Sequence, residues 1–109
     1  MEKFGGRITA DDLKIYKAHW REPVVAGWRD YTIVTAPPPS SGGIALVQML
    51  RLRDESARYF EGVGHNSSRY IHLLAEIEKL AFADRAEHLG DPDFVTVPTA
   101  QLLGEAYLE

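Results

Sequence analysis

The chain contains no cysteine, so a disulfide framework and a thiolate metal site are both excluded, and the redox compartment cannot be read from it. It lacks an excess of positive charge. Twelve Lys and Arg face sixteen Asp and Glu, a formal net charge of −4, which argues against a nucleic-acid partner because such binding needs a basic footprint. It also lacks any run of ~18 apolar residues, so no segment reads as a membrane-spanning helix. The opening MEKFGG has no hydrophobic stretch of the kind a signal peptide carries and shows no mature N-terminal nucleophile. No internal repeat is present. What the chain does have is a globular composition. Of its 109 residues 45% are apolar, enough to exclude a disordered chain and the right length for one small domain or a piece of a larger one.

Local signals predict a mostly helical α/β arrangement of about four helices and one β-hairpin. ITADDLKIYKAHW reads as a helix capped by Thr9, with Asp12 completing a variant capping box, Leu13, Tyr16 and Trp20 at helical spacing, and Pro23 ending it. PVVAGW and YTIVTA, separated by Arg29-Asp30, read as a tight antiparallel hairpin. Neither face of the second strand is strongly polar, so burial on both sides is expected. GIALVQMLRLRDESARYF reads as a helix with Ile44, Val47 and Leu50 in one stripe, broken at Gly62 and Gly64. SSRYIHLLAEIEKLAFADRAEHLG is the strongest helix, with Ser67 as N-cap and Gly90 as its stop. Its expected apolar face is Tyr70, Leu73, Leu74, Ile77, Leu80 and Ala81. GDPDF is a turn. VPTAQLLGEAYLE forms a last helix starting at Pro98 or Thr99, with no stop signal at Glu109.

The stretch TAPPPSSGG, Thr35–Gly43, is the first candidate for chemistry. Ser40 and Ser41 are hydroxyl nucleophile candidates, but nothing marks a base or a nucleophile elbow for them. Capping of the next helix is the preferred role, and an anion held at the helix start is the better of the functional readings. His72 with Glu76, and Asp84 with His88, stand at i, i+4 as metal-binding helices place their ligands, yet the same spacing serves ordinary side-chain pairs. Asp84 falls on the apolar face of its helix and must find a partner there. An ion pair or a hydrogen bond stapling the turn is expected rather than catalysis, and the GDPDF amides are candidate partners for Asp84 and Arg85.

Three stretches in this order, GGRITADDLKIYKA, YTIVTAPPPSSGGIALVQML and GHNSSRYIHLLAEIEKLAFADRAEHLGDPDFVTVP, resemble the later part of the large subunit of a γ-glutamyltranspeptidase (glutathione hydrolase). The resemblance runs from about Gly5 to Leu108. RLRDESARYFEGV, residues 51–63, departs from the family's usual continuation. The resemblance implies a layered αββα fold of the N-terminal-nucleophile hydrolase type. It also implies a precursor that cuts itself into large and small subunits, and a new N-terminal threonine that attacks the γ-glutamyl amide. The processing motif has no match here: Thr9, Thr32, Thr35, Thr96 and Thr99 all lie in other contexts. The substrate-carboxylate arginine and the oxyanion serines belong to other parts of such an enzyme.

No catalytic, substrate-binding or metal residue is therefore carried onto this sequence, and no cofactor is implied. Residues 1–109 are expected to form a single fragment, silent alone. Its partners would be the rest of the large subunit and the small subunit, with glutathione or γ-glutamyl compounds as substrates of the parent, and a homo-oligomer is expected when the chain is isolated. The resemblance implies a periplasmic or secreted parent, with the cytoplasm left open. The alternatives are a related cephalosporin or poly-γ-glutamate acylase, and a non-catalytic interaction module.

Overall fold

The computed structural model describes residues 2–108, and the expectation about Glu109 lies outside the described residues. Five α-helices and a hairpin follow one another as α1 (Ala10–Ile15), β1 (Val24–Trp28), β2 (Tyr31–Thr35), α2 (Gly42–Glu55), α3 (Ser68–His88), α4 (Thr99–Leu102) and α5 (Glu105–Leu108). The α/β class and the single hairpin are as the sequence predicts. The final segment gives two short helices rather than one, because the chain turns at Leu103-Gly104, where the Gly104 N–H closes back on Gln101 O.

α1 begins with the full capping box. The Asp12 amide donates to Thr9 Oγ1 at 3.2 Å and the Thr9 amide donates to Asp12 Oδ2 at 2.7 Å. The hydrogen bonds from Thr9 hold the Asp12 carboxyl below its usual range. The helix does not run on to Trp20 as expected. It ends at Ile15, every residue in it is exposed, and Trp20 is 103% exposed. A short helix relies on packing of its apolar stripe, and Leu13, Tyr16 and Trp20 all remain exposed. Arg21 ties the arm to the body by donating to Asp93 at 2.7 Å.

β1 and β2 pair antiparallel with Val24 opposite Thr35, Ala26 opposite Ile33 and Trp28 opposite Tyr31. Arg29 takes the positive φ of 52° that the two-residue turn demands. Val24 and Ala26 are buried on the α2 side. The expected burial of both faces does not occur: Val25 and Val34, on the other side, are 60% and 65% exposed. The 109 residues supply one layer for the hairpin and no second one.

The proline-rich stretch is an ordered strand-to-helix connection, turned by Ser40 N–H donating to Pro37 O at 3.1 Å. α2 carries Ile44 and Val47 into the core, where Ile44 joins Val24 and Leu102, flanked by Leu89, Val97 and Leu103. It stops at Glu55, earlier than Phe60, and the chain tightens into a 3-10 turn over Ala57–Phe60, a common way for a helix to close its end. Gly62 then takes φ 67°.

α3 starts as expected, with Ser67 Oγ accepting from the Tyr70 amide at 3.2 Å. Of its apolar face only Ile77 and Ala81 are fully buried, while Leu80 remains 58% exposed, since α2 covers just one side of so long a helix. The helix stops at Gly90 as expected, though Gly90 does not take a positive φ. Leu89 ends the helix in extended backbone, and a Cβ on Gly90 would lie 2.8 Å from the Val95 Cγ2 methyl. The GDPDF turn forms through Phe94 N–H to Asp91 O.

Candidate functional site

Ser40 and Ser41 stand at the mouth of α2, the first exposed and the second half-buried. Ser41 is the N-cap residue, but its hydroxyl makes no capping bond. Its Oγ instead accepts from Arg85 Nε at 3.0 Å, across 44 residues of sequence. The expected capping is thus replaced by a tertiary contact that fastens α3 to the start of α2. Neither serine hydrogen-bonds to a histidine among the described residues, so the arrangement provides no base to activate a hydroxyl. Arg85 is spent on Ser41 and does not reach the GDPDF amides as anticipated.

Asp84 does find partners, of a different kind from those expected. It accepts from Gln48 Nε2 at 2.6 Å and from the Tyr107 hydroxyl at 2.8 Å. No cation and no turn amide is involved, because α2 and α5 place an amide and a phenol on that side of α3. The hydrogen bond to Asp84, together with burial and the negative charge, raises the Tyr107 pKa above 10.0. Gln48 Nε2 also donates to Leu102 O at 3.2 Å, so one amide links α2, α3 and α4. Gln48 is 1% exposed, and its Oε1 has no hydrogen-bond partner among the described residues. The residue went unnoticed in the sequence, yet the signal was present: a polar side chain one residue after Val47 and four after Ile44, inside the buried stripe.

The metal-spaced pairs do not assemble. Glu76 accepts from Lys79 at 2.8 Å, which lowers its pKa, and His72 is exposed. His88 is half-buried, while Asp84 is engaged as above. Among the described residues no three His, Asp or Glu side chains gather in a metal-holding group.

A cleft of about 230 Å³ opens between the hairpin turn and the end of α2, lined by Trp28, Arg29, Arg51, Asp54, Glu55 and Glu105 among others. Its charges are largely spent on holding the fold. Arg29 donates through Nε to Asp54 at 3.1 Å and through a second, closer contact, and its guanidinium lies 4.7 Å from the Trp28 ring centre. Arg51 donates to Leu103 O and, at 3.4 Å, to Gly27 O. Arg29 holds the Asp54 carboxyl below its usual 3.8. The sign follows directly: a carboxylate with a lowered folded pKa stabilises the fold above its unfolded pKa, and the contribution is lost as pH falls through the lowered value. Asp54→Asn is therefore expected to flatten the acid limb of a plot of Tm against pH below about 4. The effect should be small because the pair faces solvent. Thermal scans of both proteins between neutral pH and pH 2 check it, and parallel acid limbs would contradict it.

The connection, the polar link through Asp84 and the cleft are each held by hydrogen bonds between elements of the chain. The comparisons with known proteins agree with the order of these elements. The family described as gamma-glutamyltranspeptidase matches residues 1–109. A glutathione hydrolase proenzyme of Pseudomonas aeruginosa is 57% identical over 109 residues, covering 100% of this chain and 20% of that protein. An acylase proenzyme from a Pseudomonas species is 43% identical over 96% of this chain and 18% of its own length. Among solved structures, the gamma-glutamyltranspeptidase from Pseudomonas nitroreducens complexed with L-DON superposes with a TM-score of 0.87 at 55% identity, over 99% of this chain and 32% of that one. The relatives named hydrolase and acylase are both named as proenzymes. The chain belongs to the γ-glutamyltranspeptidase family, and it spans about a fifth of the length of the curated relatives it matches.

Proposed function

We propose that residues 1–109 are a single structural segment of a γ-glutamyl-transferring or γ-glutamyl-hydrolysing enzyme whose catalytic groups lie outside this chain. The observation that carries the reading is a match along the whole chain to relatives about five times as long. The surface supports it. A compact monomer of 12.2 kDa exposes about 6,000 Å², whereas this chain exposes 8453 Å². Its radius of gyration is 18.1 Å, against about 13 Å for a compact chain of this length. Such a shape suits an element inserted between layers of a larger protein. Its partners in that reading are the remaining large-subunit polypeptide and the small subunit, and its role is to hold a sheet edge and two helices in register.

Two assays test the reading. The chain alone, incubated with a γ-glutamyl anilide, is expected to release no aniline above background. Turnover that survives repurification and is lost in Ser40→Ala or Ser41→Ala would overturn it. A chimaera of the Pseudomonas aeruginosa hydrolase carrying these 109 residues in place of its own is expected to mature and to release aniline at a rate within about tenfold of the unmodified enzyme. The acylase relative, at 43% identity, motivates a second reading in which the parent is an acylase. Placing the same segment in that acylase separates the two: the better-functioning chimaera identifies the better-matched parent.

A further inference from the structure

Arg21 is half-buried, and every other residue from position 3 to position 23 is exposed. α1 lies within this arm and contributes no buried residue. Among the described residues, the side-chain hydrogen bonds and ion pairs of Thr9, Asp11, Asp12 and Lys14 stay inside the arm, and those of Arg21 leave it. The place they reach is preorganised. In the GDPDF turn Asp91 Oδ1 accepts from the Asp93 amide at 3.0 Å, while Asp91 O accepts from the amides of Phe94 and Val95, both at 2.9 Å. The turn therefore presents two carboxylates to one guanidinium: Arg21 Nη2 stands 2.7 Å from Asp93 Oδ2 and 3.8 Å from Asp91 Oδ1. The hydrogen bond from Arg21 holds the Asp93 carboxyl below its usual range, and the charge of His19, in the same arm, adds to the effect.

We propose that Arg21 and the GDPDF turn form a latch, the single fastening of a strap. The bond of a guanidinium to a carboxylate is among the stronger polar contacts, and the arm buries no apolar residue that could share the task. The latch fixes the arm against the body. Its loss frees the arm to move while the hairpin and α2 to α5 stay folded. The latch also sets the width of a neighbouring cleft: Tyr16, Trp20 and Arg21 of the arm, Pro37, Pro38 and Pro39 of the connection, and Asp93 line one open space of about 730 Å³. The latch does not rest on the γ-glutamyl reading, because every group in it lies within the 109 residues.

The chain has no cysteine, so spin labels can be placed at chosen pairs of positions. Lys17→Cys with Glu87→Cys measures the arm against α3, and Glu61→Cys with Glu87→Cys measures the body alone; all three positions are exposed. Pulsed electron paramagnetic resonance on the 109-residue chain is expected to give one narrow distance peak for each pair. Asp91→Asn combined with Asp93→Asn removes both charges and keeps an acceptor at position 91 for the turn. In that variant the fraction of molecules outside the arm-to-body peak is expected to rise about two- to fivefold, the range of a partly exposed ion pair. The body pair is expected to keep its peak. Arg21→Gln is expected to produce the same change, and adding Asp93→Asn to it is expected to change nothing more, since both act through one contact. An arm-to-body distribution already broad in the unsubstituted chain overturns the proposal. So does one that Arg21→Gln leaves unchanged. A body pair that broadens together with the arm pair also overturns it, because the ion pair would then serve the whole fold and not the arm.

Discussion

Gly43→Ala is expected to destabilise the chain by about 3 kcal/mol, the upper part of the range for overpacking. The new methyl carbon would lie 2.5 Å from Thr35 Cγ2, 2.7 Å from Ala36 O and 2.9 Å from Thr35 Oγ1. The threonine can change rotamer, but Ala36 O is backbone and lies one residue past the end of β2. Relief requires the hairpin to move away from α2, and that opens the contact of Val24 with Ile44. A domain of this size has about 5–15 kcal/mol in all, and each kcal/mol moves Tm by about 4–8 °C. A drop of more than about 10 °C is expected. Gly42 provides the control. The same methyl there has only Ser40 Oγ, 3.8 Å away, and Gly42→Ala gains helix propensity, so its Tm should hold or rise slightly. Equal melting of the two variants would show that the strand-to-helix contact is not the tight one described.

The contrast between those two glycines marks how far the sequence could be read. Both stand in the same SSGG run, and nothing local distinguishes them. The difference arises from where β2 ends relative to the first turn of α2. Features decided by neighbours in the chain were legible: the capping box at Thr9, the cap at Ser67, the two-residue hairpin turn and the GDPDF turn are all contacts within a few residues. Features decided across the fold were not. Ser40 or Ser41 is expected to cap α2; Ser41 stands at the N-cap, but its hydroxyl accepts from Arg85, 44 residues away, instead. Gly90 does follow the helix end, but its close approach to Val95 comes from the fold and not from the local signal. The α1 stripe has helical spacing, and burial on both sides is expected of the second strand because neither of its faces is strongly polar. The stripe and the outer face of the hairpin lie open in the structure.

The polar link behind α2 was half legible. Asp84 on an apolar face demanded a partner, and it has two, but their identity depended on Gln48 and Tyr107 arriving from other helices. Asp84→Ala is expected to cost about 2 kcal/mol, chiefly because Gln48, 1% exposed, keeps a single acceptor for its amide in a place water does not reach. Urea unfolding at neutral pH reads that loss. A second readout separates this account from a simple loss of packing. In the parent protein Asp84 raises the Tyr107 pKa, so the fold's preference for the neutral phenol is fully present below 10.0 and fades as pH rises through the elevated value. In Asp84→Ala the phenol should titrate nearer its ordinary value, followed by its ultraviolet absorbance. The stability gap between the two proteins should narrow at alkaline pH, where the parent's Tyr107 ionises against a carboxylate and the variant's does not. Tyr107→Phe supplies the complementary case. It leaves Gln48 bonded to Asp84, so it should abolish the alkaline feature while costing much less at neutral pH. If Tyr107→Phe proves as damaging as Asp84→Ala, the phenol rather than the buried amide is the anchor of that side of α3, and the ranking of the two bonds is reversed.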